Sequence, residues 1–229
     1  MDQRDQEHKD QGQREQEQEQ RAQEHRNQEY AEVKRLAQEE GSTARLLDYA
    51  QVVFGLEWFD EESAAVATVT RVADEHPDDP RAALLFSHSA LHIQLDEDAV
   101  LRGGELAARI PRESSYRPMA AVQLAAVNEW NGVDRSDRDL TFRLIAESVE
   151  RAPELTSNNA WLGRLYAERG EPAQARQYLE RARANILEAP ERAALSLVER
   201  AWHECFTGRL SSPVGIEMDL AKLLRPDSD

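Results

Sequence analysis

From Gly41 onward the apolar residues recur at spacings of three and four, and no stretch alternates apolar with polar side chains over the length of a strand. A chain patterned this way buries its apolar side chains by packing helix on helix, so the periodicity predicts an all-α body. The segment "ARLLDYAQVVFGLEWF" places Leu46, Leu47, Tyr49, Ala50, Val53, Phe54 and Trp58 on overlapping helical faces. In "SAAVATVTRVADEH" the β-branched residues favour a strand, but Ala65, Val66, Val69, Val72 and Ala73 keep helical spacing. "PRAALLFSHSALHIQL" and "DEDAVLRGGELAARIP" form the next pair, with Asp96 as N-cap of the second helix. "SSYRPMAAVQLAAVNEW" and "SDRDLTFRLIAESVERAP" follow, then "NNAWLGRLYAERGEPAQARQYLERA". "PERAALSLVERAWHECFTG" and "SPVGIEMDLAKLLRP" complete the body, with Pro190 and Pro213 near helix starts.

The pairs repeat. Pro77 and Pro111 close successive second helices 34 positions apart, and Pro153 follows after 42. The excess of eight falls in "WNGVDRSDRD", residues 130–139, a turn-rich connection. A period of about 34 is the mark of a repeat architecture.

The best-preserved copy, residues 158–182, resembles a tetratricopeptide repeat. Leu162, Gly163 and Tyr166 stand at that family's spacings on the first helix, Gly170 at the turn, and Ala175 and Ala182 at its small positions. Leu179 takes a place usually aromatic, Asn159 replaces the usual Trp, and Leu187 the closing Pro. The earlier copies are degenerate: the Leu-Gly pair becomes Phe86-Ser87 and Val52-Val53, while Ala99 and Ala65 keep the position of Ala175. The resemblance covers residues 43–224. It implies a right-handed solenoid of about five antiparallel helical hairpins over residues 41–229, ending in a C-terminal capping helix with Val214, Met218, Leu220, Ala221, Leu223 and Leu224 on its apolar side.

Residues 1–40 are a different material. From Met1 to Asn27 only Met1 and Ala22 are apolar, so this Gln/Glu/Arg-rich low-complexity arm has no core of its own. Two states remain open for it, disorder or a solvated helix supported by pairs such as Glu17 with Arg21. It lacks the apolar heptads of a coiled coil. Val33, Leu36 and Ala37 give its end a stripe able to dock on the first hairpin.

Charge and composition narrow the partners. A formal net charge of -16 argues against nucleic acid and anionic lipid, both of which need clustered Lys and Arg. One cysteine, Cys205, excludes an internal disulfide and suits a reducing compartment. With neither an apolar leader nor a bilayer-length apolar run, the expectation is a cytoplasmic protein without a membrane span.

No catalytic constellation stands out, and no metal or cofactor is expected. His88 and His92 in "HSALH" have a chelating spacing but no Glu after the first His and no evident third ligand, so they read as groove-lining or half-buried side chains. Cys205 beside His203 and Glu204 reads as a structural thiol, because adjacent residues leave a helix in different directions. "RGGEL" lacks the Lys and Ser/Thr of a phosphate loop and reads as close helix packing.

The resemblance therefore implies a non-catalytic adaptor whose first helices line a concave groove for a protein or peptide partner. In that register the groove presents Phe54 and Trp58, then Arg81, His88 and His92, then Gln123 and Arg164. The Lys-Asn-Asn clamp with which some members hold a C-terminal carboxylate is not present. Packing between hairpins is the competing role for the same side chains. Two other readings remain: a self-assembling protein joined through the arm or the cap helix, and a small metal-dependent enzyme centred on His88 and His92.

Overall fold

Short polar side chains set the helix starts. Ser42 receives the Arg45 N–H at 3.5 Å and opens α2 (Thr43–Gly55), on which the following α3 (Glu62–Glu75) packs. Asp79 accepts from the N–H groups of Arg81 and Ala82, both at 2.9 Å, at the start of α4 (Pro80–Ser89). Asp96 caps α5 (Glu97–Arg109) through Ala99 N–H at 3.0 Å, as its position before an apolar stripe predicts. Asp137 does the same for α7 (Arg138–Arg151), the partner of α6 (Arg117–Trp130). The fourth pair is α8 (Thr156–Glu168) with α9 (Pro172–Ala184).

The structure is a computed structural model and describes residues 3–56, 58–130, 137–210 and 212–223. Among these the secondary structure is helical and no strand occurs. The loop at 130–139 lies mostly outside the described residues, as does Leu224. The four pairs begin at Thr43, Pro80, Arg117 and Thr156, at intervals of 37, 37 and 39 residues, longer than the period of about 34 expected from the prolines. Each helix packs on its sequence neighbour, and α2 also lies on α4, and α4 on α6.

Helix α1 (Gln3–Glu40) is continuous, with Glu17 and Arg21 3.9 Å apart on its surface. Its last third docks: Tyr30 and Ala37 are buried, and Lys34 pairs with Glu61 at the start of α3. In α8 and α9 the close approach has a visible cause. A Cβ at Gly163 would meet Leu179 Cγ at 2.8 Å and the Ala175 carbonyl oxygen at 3.1 Å, so glycine is needed there for the two helices to touch.

The C-terminal part departs from this pairing. "PERAALSLVERAWHECFTG" is not one helix but α10 (Ala189–Ala194), α11 (Leu197–Trp202) and a π-helical turn, His203–Thr207. In place of a fifth pair, α11 packs on α2 at the far end of the body, while α12 (Val214–Leu223) lies on α9 and α8. Ile216 anchors α12 among Ala160, Leu179 and Ala182. Periodicity fixed the buried face of α11 but carried no information on which helix would cover it.

Candidate protein-interaction groove

The face on which α11 rests is built from the first helices of the pairs. Gln51 is its best-defined element. The side chain is 1% exposed and bonded at both ends, its Nε2 donating to the Val198 carbonyl at 2.7 Å and its Oε1 accepting from Arg81 Nη2 at 2.8 Å. An unpaired buried amide costs on the order of 1–3 kcal/mol, so this arrangement fixes the register of α11 on α2. One turn further on, Gly55 faces Ala201 backbone to backbone.

The remaining anchors reach successive helices. Trp202 meets Tyr116, just before α6, edge to face at 5.7 Å. Phe206 lies against Trp202 at 4.6 Å with the ring planes 48° apart and turns its edge toward His88 of α4 at 5.5 Å. The π turn also touches α8. Leu197, Ala201 and Phe206 thereby join the main core with α2 and α4. Burying Leu197 and Phe206 contributes roughly 1.5–3 kcal/mol each.

Of the seven residues predicted from sequence, three converge. Phe54, His88 and His92 line one cavity of about 300 Å³, together with Glu62, Glu204 and Cys205. His92 lies in a second π-helical turn, Ala90–Gln94, and its ring centre is 4.6 Å from that of His88. Burial, with a smaller push from His92, lowers the His88 pKa to about 3, and burial also lowers that of His92. Both rings are therefore neutral near pH 7, and His88 Nδ1 is buried without a hydrogen-bond partner. Among the described residues no group of three or more His, Cys, Asp or Glu side chains is placed to hold a metal ion.

Arg81 borders a second cavity of about 300 Å³, beside Asp48, Gln51, Tyr116, Glu199, Trp202 and His203. It pairs with Asp48 Oδ1 at 2.7 Å, both side chains being about four-fifths buried (19% and 18% exposed). Gln123 is buried on α6 and accepts from Ser87 Oγ at 3.4 Å, so it joins α6 to α4. Trp58 faces the arm, stacked on Tyr30 at 4.1 Å with ring planes 13° apart. Arg164 faces the cap helix, its Nε 2.6 Å from Asp219.

Sequence reasoning missed Gln51, Gly55 and Tyr116 on the receiving face, and Leu197, Trp202 and Phe206 on the segment that covers it. The apolar ladder of α11 was visible in "LVERAWHECF", but its spacing equally suits a hairpin helix. No family model matches the chain, and neither a curated protein nor a solved structure matches it. No helix among the described residues is long and apolar enough to cross a membrane.

Proposed function

We propose that this chain is a tetratricopeptide-like adaptor, a right-handed solenoid of antiparallel hairpins whose concave face binds a helical segment of a protein partner. The near-constant interval between helix pairs supports the repeat, as do the close contacts of Gly163 with Ala175 and Leu179. One observation carries the binding role: the face formed by α2, α4 and the start of α6 already receives a helix, through the Gln51 hydrogen bond, the Gly55 contact and the Trp202 and Phe206 rings. A surface that seats one amphipathic helix has the chemistry to seat another.

The adaptor is non-catalytic, needs no metal or cofactor, and works in the cytoplasm, where a lone half-buried thiol remains reduced. Crosslinking in its own cells tests the assignment. A photoreactive residue replacing Arg81 captures a protein whose recovery falls at least several-fold when Gln51→Ala is also present. Recovery that ignores Gln51 and the neighbouring groove side chains overturns the groove as the binding site.

Self-assembly is the second reading, favoured by the exposed surface of α1 from Gln20 to His25. Light scattering of the full chain and of a chain starting at Gly41 separates the two readings. A monomer in both cases removes self-assembly.

A further inference from the structure

The helix seated on the groove belongs to an excursion that starts and ends at one point. Leu187 N–H donates to the Arg209 carbonyl at 2.9 Å, and Arg209 Nε donates to the Asn185 carbonyl at 3.3 Å, so residues 188–208 leave the end of α9 and return to it. Beyond that base the chain resumes as α12, which packs on α8 and α9. Residues 188–208 can therefore lift from the groove without disturbing the cap helix. The outgoing limb opposes lifting weakly, because α10 buries none of its residues.

The fit on the groove is incomplete. One cavity of about 300 Å³ flanks α11 on the Arg81 side, and another of about 300 Å³ lies on the His88 side. Both open to solvent, so the edges of the seated segment are not closed over by side chains as a protein interior is. His88 Nδ1, buried and unpartnered, is a second unmet demand on the same face. The bound segment is held along its centre by the Gln51 hydrogen bond, the Gly55–Ala201 contact and its apolar anchors, and is open along its edges.

We propose that residues 188–208 form a strap, hinged where Leu187 meets Arg209, that closes the groove until an amphipathic helix of a partner protein displaces it. The strap itself defines the partner's chemistry: an apolar ladder with two aromatic anchors, equivalent to Leu197, Ala201, Trp202 and Phe206, set on a helix with a polar outer face. This rests on the groove being a binding site. The strap competes from within the chain, where effective concentrations reach millimolar, so a free helix of equal quality binds the closed protein poorly.

The test uses a fluorescein-labelled synthetic peptide of residues 188–208, made with Cys205→Ser so that it carries no thiol, and the full-length protein. A W202A/F206A chain, matched to wild type in helicity, binds the peptide at least about tenfold more tightly than the wild-type chain does. The peptide bearing W202A/F206A binds neither chain. On the unmodified protein, saturating peptide accelerates reaction of Cys205 with a thiol reagent by a similar factor, a readout that decides the matter even where the double variant does not fold. Equal or weaker binding by the variant, or an unchanged Cys205 rate at saturation, overturns the strap and leaves the groove as a site. Absence of peptide binding to either chain overturns both.

Discussion

Gly55 of α2 and Ala201 of α11 touch backbone to backbone: a Cβ at position 55 would stand 2.5 Å from the Ala201 carbonyl oxygen and 2.7 Å from its Cα. Backbone atoms cannot swing aside as a side chain tip can, so even one methyl group forces the helices apart. Gly55→Ala is expected to cost about 1–3 kcal/mol of stability, read as a lowered urea midpoint. Gly215, on α12, has nothing within 4 Å of its built Cβ, and Gly215→Ala is expected to leave stability unchanged or raise it by up to about 1 kcal/mol. Equal effects at the two positions would mean that α11 does not lie on α2.

Cys205 reports on the same docking. Burial in the π turn, reinforced by Glu204, pushes its thiol pKa up to about 12, and the thiolate is the reactive form. At pH 8 the folded protein is expected to react with a thiol reagent roughly a hundredfold or more slowly than the chain unfolded in guanidinium. Since the sequence has one cysteine, the signal has a single source. A folded rate close to the unfolded one would place Cys205 in solvent.

Local features were largely legible in the sequence. Asp96 caps α5 as its position before an apolar stripe predicts, and the Gly163 contact follows from a glycine in the middle of a packed helix. Long-range choices were not. The stripe of α11 shows that one face is buried, yet 146 positions separate Gly55 from Ala201 and nothing local to either names the other. The two π turns were equally hidden, since "HSALHIQL" and "AWHECFTG" have ordinary helical spacing, and the widened turns carry His92 and Cys205. Trp58 and Arg164 had the right register for a groove, but the choice between groove, arm and cap depended on Tyr30 and Asp219, which lie on helices outside the four pairs.

Acid is expected to weaken the fold before the carboxylates titrate. His88 has a pKa lowered to about 3 by burial, whereas the same side chain in the unfolded chain takes up its proton near pH 6.5. Between those values the unfolded state binds the extra proton, so stability is complete above about pH 6.5 and falls as the pH drops toward 3. His92, also lowered by burial, acts in the same direction. The slope is at most about 1.4 kcal/mol per pH unit for each such group. Urea midpoints at pH 7.5 and 5.5 are expected to show the loss, and His88→Phe to reduce it. Equal midpoints for the wild type at the two pH values would show His88 to be solvated.

Arg164 separates the cap from the groove. Its Nε lies 2.6 Å from Asp219, and Lys222 Nζ is 3.2 Å from the same carboxylate. Although burial pushes the Asp219 carboxyl up, these two cations hold it below the usual carboxylate range. Arg164 is about half exposed (53%), so the pair is worth only about 0.2–1 kcal/mol. Arg164→Ala is therefore expected to lower global stability slightly and to speed amide exchange in Val214–Leu223, the helix that Asp219 anchors. Binding of the 188–208 peptide should stay unchanged, because the contacts of that segment run to Gln51, Gly55, Tyr116 and His88 and, on α8, to Ser157, two turns from Arg164. A variant that loses peptide binding while α12 exchange is unaffected would return Arg164 to the groove, where the repeat register first placed it.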